Sequence, residues 1–406
     1  MPFDIAIDSL VYEGYGFARL PDGKAVFVPF VLPGEKARIE LTEEKKRHAF
    51  GRVIEILKAS AERIAPKCPH FTVCGGCHFQ HIPYERQLHY KEAIFKEQLT
   101  RMGGIDDPQI EVVHPSKNEW NYRNAVQFHL TKEGKLGYRD VSNDYVMPIE
   151  ECHLPMAAID GLWPQVHFEG ESGIDRVEIR QDAGGNLLVN LQGDEKGIPE
   201  IDITDALSVV HSGPYDSIVI SGEDHLEYVL LGKKFRVSSG SFFQTNFDGA
   251  DVLVKTVLSM TKDLFGTLFD LYSGVGLFSA FLRDQFDRIV AIEGSHYACD
   301  DFAHNLADGG EIDLYEGSVE KILGEISEDA DCIIVDPPRG GLHRYAADAL
   351  VNNQAPKIIY VSCNPATLGR DIKRLGKGGY ELIRSVVVDM FPQTYHIESV
   401  NMLELR

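Results

Sequence analysis

Three cysteines crowd into ten residues, Cys68-Pro-His-Phe-Thr-Val-Cys74-Gly-Gly-Cys77, and a fourth, Cys152, stands far downstream. Thiolates bind soft metals, and four converging ones suit a structural zinc or an iron–sulfur cluster. Zinc sites usually come as two close pairs, so a trio plus one remote cysteine fits a cluster better. Gly75-Gly76 lets the backbone bend around a bulky centre. His70, His78, His81 and His153 lie near enough to replace a cysteine, although packing beside the loop is their plainer role. Cys299 and Cys332 read as small buried hydrophobes.

A second constellation begins at Asp270-Leu-Tyr272-Ser-Gly274-Val-Gly276, after a predicted strand and before a predicted helix. Gly274 and Gly276 allow close backbone approach to a ligand. Glu293 ends the next strand, where a carboxylate accepts from ribose hydroxyls. A dinucleotide site prefers a third glycine, but Ser279 stands there, so the pattern suits S-adenosylmethionine (SAM) better. A surface or helix-capping acid is the plainer alternative for Glu293.

Cys363 lies just past another predicted strand, in Val361-Ser-Cys363-Asn-Pro. Strand ends of an open parallel sheet point into the ligand crevice, and a deprotonated thiol there is a nucleophile. Asp336-Pro-Pro-Arg339 ends a neighbouring strand, and Glu398 is a candidate base near the C-terminus. Together these parts fit methylation at C5 of a pyrimidine. That carbon is a poor nucleophile until a thiolate adds at C6. A base must then take the C5 proton so the thiol can leave. Asp336 or Arg339 would partner the ring's developing charge. A buried small side chain is the plainer alternative for Cys363.

These residues need scaffolds. Over residues 1–58, five short alternating segments separated by Gly14, Pro21-Asp22-Gly23 and Pro33-Gly34 predict an OB-like barrel, a common nucleic-acid platform. Residues 84–102 predict a helix stopped by Gly103-Gly104. From about 109 to 235 the pattern is strand-rich and mainly antiparallel. After about 240, strands alternate with helices, predicting a Rossmann-like parallel sheet. The expected division is therefore 1–58, 59–238 and 239–406, an α/β and β multidomain chain.

Residues 151–406 hold 20 Lys+Arg against 41 Asp+Glu, so -21 of the net charge of -22 lies there. That excludes indiscriminate nucleic-acid binding by the C-terminal part. The N-terminal part is near neutral, with a basic run at Lys45-Lys46-Arg47-His48 and Arg52. The 406-residue chain has no uninterrupted apolar stretch of ~18 residues, so no membrane partner is expected. Its opening, MPFDIAIDSL, lacks a basic segment followed by an apolar run, so a cytoplasmic location is expected.

Nearly the whole chain resembles the uracil-C5 RNA methyltransferase family, in its iron–sulfur, TRAM-containing 23S rRNA branch. Leu10-Val-Tyr-Glu-Gly-Tyr-Gly-Phe-Ala-Arg-Leu resembles a TRAM domain. The cysteine array with Cys152 resembles the family's [4Fe–4S] ligands. Ser241-Phe-Phe-Gln-Thr-Asn246, Asp336-Pro-Pro-Arg-Gly-Gly, Ser362-Cys-Asn-Pro and His396-Ile-Glu-Ser-Val400 resemble its catalytic segments. The resemblance implies Cys363 as nucleophile and Glu398 as base. It implies Gln244, Tyr272, Gly274, Gly276, Glu293, Ser318 and Asp336 around SAM, with Phe242 and Arg339 toward the target base. Leu277 stands where some members have Asn or Thr, which removes one polar contact. The resemblance also implies that helix 84–102 packs on the catalytic domain.

The implied activity is formation of 5-methyluridine in structured RNA, foremost 23S rRNA, with tRNA as the alternative and no obligate protein partner. A non-catalytic RNA-binding protein is opposed by the intact Cys363, Glu398 and SAM set. Methylation of exocyclic amines is opposed by Arg339, where that chemistry wants an aromatic.

Overall fold

A computed structural model describes residues 2–168, 172–193, 207–213 and 217–406. The first unit is a six-stranded sheet: β1 (Phe3–Ala6), β2 (Ser9–Leu10), β3 (Tyr15–Arg19), β4 (Ala25–Pro29), β5 (Lys36–Glu44) and β6 (His48–Lys58). The N-terminal run closes it, because β1 pairs with β5 while β2 pairs with β3. Strand alternation sends Ile5, Ala18, Val26, Val28, Ala37 and Ile39 inward to a core of their own. The same alternation turns Tyr15, Phe17, Phe27, His48 and Phe50 outward, where their rings meet at 5.5–5.9 Å.

Helix α1 (Tyr84–Gln98) follows the cysteine loop. It ends in a wider turn, Leu99–Gly103, stopped by Gly104 at φ 75°. Its Ile94 and Phe95, with Leu99, share a core with Phe269, Leu271 and Leu368, far along the chain. Strand β7 (Val112–His114) then joins the edge of the C-terminal sheet.

The middle sheet contains β8 (Ala125–Leu130), β9 (Leu136–Arg139), β10 (Val146–Pro148), β11 (Ile174–Gln181), β12 (Leu187–Gly193), β13 (Ser208–Ser212) and β14 (Ser217–Ser221), with short helix α2 (Ala157–Leu162) against it. It is antiparallel except at β12–β13. A hairpin, β15 (His225–Leu230) and β16 (Lys233–Ser238), packs its Tyr228 and Phe235 into the core of the C-terminal unit. The segment 59–238 therefore does not form one layer: α1, β7 and this hairpin lie with the C-terminal unit, because their apolar residues find their core there.

The C-terminal sheet has the order β19-β18-β17-β20-β21-β23-β22-β7. Its strands are β17 (Thr267–Leu271), β18 (Arg288–Glu293), β19 (Ile312–Glu316), β20 (Cys332–Val335), β21 (Lys357–Ser362), β22 (Tyr380–Val388) and β23 (Glu398–Leu405). Helices α3 (Phe247–Thr261), α4 (Leu277–Leu282), α5 (His296–Asn305), α6 (Val319–Ile322), α7 (Arg344–Asn353) and α8 (Pro365–Gly376) flank it. The sequence pattern predicts a parallel sheet, and seven of the eight strands run in one direction. β23 instead inserts antiparallel between β21 and β22. An antiparallel strand begins where its parallel neighbours end, so the start of β23 reaches the crevice.

Candidate active site

Ser362 pairs with Ser399 at the last rung of the β21–β23 ladder. Cys363 follows Ser362 and Glu398 precedes Ser399, so both stand at this end of the ladder. Cys363 is half-buried and directly precedes Asn364, whose side chain caps α8 by accepting from the backbone N–H of Ala366 and Thr367 at 3.0 and 3.3 Å. The thiol thus lies at the positive end of a 12-residue helix. Burial, then the charges of Glu398 and Asp336, pushes it up to about 12, and the Arg339 guanidinium pulls it down. Glu398 is 4% exposed. Burial raises its carboxyl well above the usual range, Asp336 adds to this, and Arg339 opposes it. The four groups therefore share one electrostatic environment.

Asp336 follows β20, and burial with the Asp270 charge raises it to about 7. Arg339 is exposed, and its loop is tied to α8 where Asn364 and Thr367 donate to its carbonyl at 3.1 and 3.3 Å. Arg339 Nη2 stands 3.4 Å from His396 Nε2.

The glycine turn lies beside this crevice. Gly276 has φ 85°, and a Cβ there would stand 2.3 Å from Leu306 Cδ1. Tyr272 holds a left-handed φ of 61°, a strain that clusters at ligand sites. Glu293 accepts from Gly274 N at 2.8 Å and from Ser295 N at 2.7 Å. Each carboxylate oxygen keeps a second lone pair for a hydroxyl. Asp270 Oδ1, Ser273 Oγ and Ser318 Oγ are buried without a hydrogen-bond partner. Such orphans fit a polar ligand among them. Gln244 is buried, and Phe242 is 69% exposed.

Cys68, Cys74, Cys77 and Cys152 line one cavity of about 370 Å³. Gly75 lies against the β9 end, its N–H donating to Arg139 O at 2.9 Å. A Cβ there would approach that oxygen to 3.0 Å. Burial pushes Cys77 up to about 12 and Cys152 to about 11. Among the described residues, no group of three or more His, Cys, Asp or Glu is drawn close enough to hold a single metal ion. The four thiols share the cavity with His70, His78, Glu151 and His153, so soft sulfur donors stand beside imidazole and carboxylate there. Arg339, Tyr395 and His396 line the same cavity, so it adjoins the crevice.

Sequence reasoning missed two contributors. Tyr12, in the turn after β2, meets Tyr395 edge-on at 6.4 Å, which brings the barrel to the crevice. Arg123 lies over the rings of Tyr122 and Phe391 at 6.0 and 5.7 Å and lines the cysteine cavity. Nothing local in the sequence marks Arg123. Cys299 and Cys332 are buried, as expected.

Residues 3–54 match the TRAM domain, and residues 323–406 match the tRNA (Uracil-5-)-methyltransferase family. A protein of Aquifex aeolicus described as an uncharacterized RNA methyltransferase is 36% identical, the match covering 100% of this chain and 99% of the relative. The chain belongs to the RNA uracil-5 methyltransferase family. A second such relative, from Halalkalibacterium halodurans, is 32% identical over 99% of this chain and 97% of its own. The crystal structure of Pyrococcus abyssi tRNA (uracil-54, C5)-methyltransferase in complex with S-adenosyl-L-homocysteine matches at a TM-score of 0.74 and 25% identity. That match covers 98% of this chain and 100% of the other. The protein is thus a SAM-dependent RNA uracil-5 methyltransferase carrying a TRAM domain. Among the described residues of this methyltransferase, no helix is long and apolar enough to cross a membrane.

Proposed function

We propose that this methyltransferase makes 5-methyluridine in structured 23S rRNA through a covalent adduct between Cys363 and the target uracil. The observation that carries this is the end of the β21–β23 ladder at Ser362–Ser399, next to a half-buried thiol and a buried carboxylate whose charge the thiol feels.

SAM supplies the methyl group, held by Gln244, Tyr272, Gly274, Gly276, Glu293, Ser318 and Asp336. Cys363 Sγ, as thiolate, adds to C6. The C5=C6 electrons move toward O4, and Arg339 stabilises that charge. The enolate's electrons return through C5 to the methyl carbon, whose bond to the sulfonium sulfur breaks, so the demethylated thioether, S-adenosyl-L-homocysteine, leaves. Glu398 then removes the C5 proton, the electron pair reforms C5=C6, and the C6–S bond breaks to return the thiolate. A uridine in a duplex cannot reach this crevice, so the target is flipped or loop-borne, with exposed Phe242 against the opened stack.

The outward aromatic face of the barrel supports RNA contact. Lys45 lies over Phe50 at 5.5 Å and Arg19 over Phe17 at 5.6 Å, a combination suited to stacked bases and phosphates. Lys45 and Arg52 pair with Glu43 and Glu40, which weakens the basic run as a general phosphate site. Cys68, Cys74, Cys77 and Cys152 hold a [4Fe–4S] cluster in this proposal. Such a cluster would tie the loop 68–77 to the segment after β10. An RNA substrate places the protein in the cytoplasm.

The whole-length likeness to a tRNA enzyme favours tRNA as the second reading. The deciding experiment incubates 23S rRNA and tRNA transcripts, tritiated at uracil C5, with anaerobically purified protein and SAM. SAM-dependent tritium release from 23S rRNA is expected. Release from tRNA alone selects the second reading, and none from either overturns the C5 chemistry.

A further inference from the structure

A second cavity, of about 410 Å³, opens on the middle sheet beside the catalytic unit. Of the residues assigned above, Phe242, toward the target base, lines it at its rim, and Gln127 lines both this cavity and the cysteine cavity. Its volume falls within the range of small-molecule sites. Its walls are built. Arg180, on β11, donates to the carbonyls of Ser238, Ser239 and Ser241 at 3.0, 3.1 and 2.8 Å, fixing the strip that leads to Phe242. Gly240 makes room for the Tyr297 ring, since a Cβ there would stand 2.5 Å from it. The Tyr297 hydroxyl is anchored 3.1 Å from Ser217 Oγ.

The chemistry of the lining selects the ligand class. Among the described residues its charged side chains are Arg180 and Glu178, which pair at 2.8 Å, so none of these offers an unpaired cation to a phosphate. What remains is neutral and amide-rich: Gln127 and Gln192 share one face of the sheet, where Gln127 Nε2 donates to Gln192 Oε1 at 3.4 Å, leaving the Gln127 oxygen and the Gln192 nitrogen open, while buried Asn190 is committed to Ser239 O and Ser212 Oγ. A side-chain amide offers a donor and an acceptor together, the pattern that reads a base edge. Two aromatic rings flank the opening, Phe242 at 69% exposure and Tyr297 at 40%. Exposed rings beside amides suit a planar, polar, uncharged group.

We propose that this cavity is a nucleobase-recognition subsite, which takes a nucleotide flanking the target uridine and reads its edge with Gln127 and Gln192. The proposal rests on the RNA methylation reading above. Placement supports it: Phe242 bounds the cavity, and Gln244, two residues on, is assigned to the SAM side. Two residues of chain span at most about 7 Å. A base splayed from the target's immediate neighbourhood therefore reaches the cavity while the target occupies the crevice. Phe242 then separates the two.

The test uses full-length protein and the Q127A/Q192A double variant. Both positions are at the surface or only partly covered, so the fold is expected to survive. The methylated uridine is first mapped by tritium release in 23S rRNA or tRNA transcripts. A hairpin spanning it is then made with each flanking nucleotide changed in turn. For the natural protein, one flanking position should control kcat/KM by about tenfold or more. In the double variant that discrimination should collapse, while kcat on the best hairpin changes less than about threefold. C5 tritium release with an unchanged flanking profile in the variant overturns the subsite alone. No C5 release from any RNA overturns both this proposal and the activity it rests on.

Discussion

Lys91 and Asp389 form a buried ion pair across most of the chain: Nζ stands 2.6 Å from Oδ1, and the side chains are 1% and 0% exposed. Lys91 also donates to Phe391 O at 2.9 Å, and Tyr84 donates to Asp389 Oδ2 at 2.9 Å. Burial lowers the Lys91 ammonium from its ordinary value, and the Asp389 carboxylate opposes that shift. Helix α1 thereby clamps the segment that leads into β23. Removing one partner leaves an uncompensated buried charge, which typically costs about 3–5 kcal/mol. Lys91→Ala should lower the unfolding midpoint by several degrees in calorimetry. A midpoint within about a degree of the natural protein would show that the clamp carries no load.

The Cys363–Glu398 pair separates two chemical roles. Cys363→Ala should abolish methyl transfer while leaving SAM affinity within about threefold by calorimetric titration, because the proposed mechanism has the thiol act on the RNA. Appreciable residual turnover would sink the nucleophile assignment. Glu398→Gln should trap RNA on the protein, because proton removal precedes thiolate loss. A denaturing gel checks this, and loss of turnover without a slower band counts against Glu398 as the base.

In the proposed mechanism both Cys363 and Glu398 must lose a proton to act, and both are raised. Cys363 is pushed up to about 12 by burial and neighbouring carboxylates, and Glu398 is pushed in the same direction. The log of kcat/KM should therefore rise with pH through the neutral and alkaline range. Arg339 lowers both groups. Arg339→Gln removes that cation, so the rising limb should move to higher pH. Each unit of movement costs roughly tenfold at a fixed pH on the limb. An unmoved limb would assign Arg339 to RNA contact alone.

Much of the fold follows from local pattern, and the exceptions have physical causes. Strand β4 runs Ala25–Pro29, where alternation and turn residues place it, and β17 runs Thr267–Leu271. Local signals decided those elements. The position of β23 is not local: whether Glu398 begins a strand beside β21 depends on which gap the last hairpin enters. The candidate base could be named from its neighbours in sequence, but its reach to Cys363 could not be derived from them. β7, three residues long, forms only because β22 offers an edge. The aromatic face of the barrel was visible as alternation in Tyr15-Gly-Phe17 and His48-Ala-Phe50, yet only pairing shows that the rings converge. Arg123 is placed by tertiary contacts that no spacing encodes.

The cysteine cavity makes a compositional prediction. Protein purified without oxygen should be brown and contain iron and acid-labile sulfide in equal amounts. Cys77→Ser should lose most of both, since Cys77 is one of the four lining thiols. One equivalent of zinc with neither iron nor sulfide would replace the cluster with a structural ion.

Gly274 and Gly276 both have positive φ, 54° and 85°, yet they should fail differently when given a side chain. At Gly276 a Cβ would meet Leu306 Cδ1 at 2.3 Å and Phe302 Cδ2 at 2.9 Å. That is overpacking added to left-handed strain, together about 2–5 kcal/mol. Gly276→Ala should therefore show a clearly lowered unfolding midpoint. At Gly274 a Cβ would meet nothing within 4 Å. Only the conformational cost of about 1–2 kcal/mol falls on the fold there. The open space beside Gly274 adjoins Glu293, whose carboxylate accepts from the Gly274 N–H, and SAM is assigned to this turn. Gly274→Ala should therefore weaken SAM binding by tenfold or more with a smaller loss of stability. Unchanged SAM affinity in Gly274→Ala, measured by calorimetric titration at a temperature where both variants are folded, would move the cofactor away from this turn.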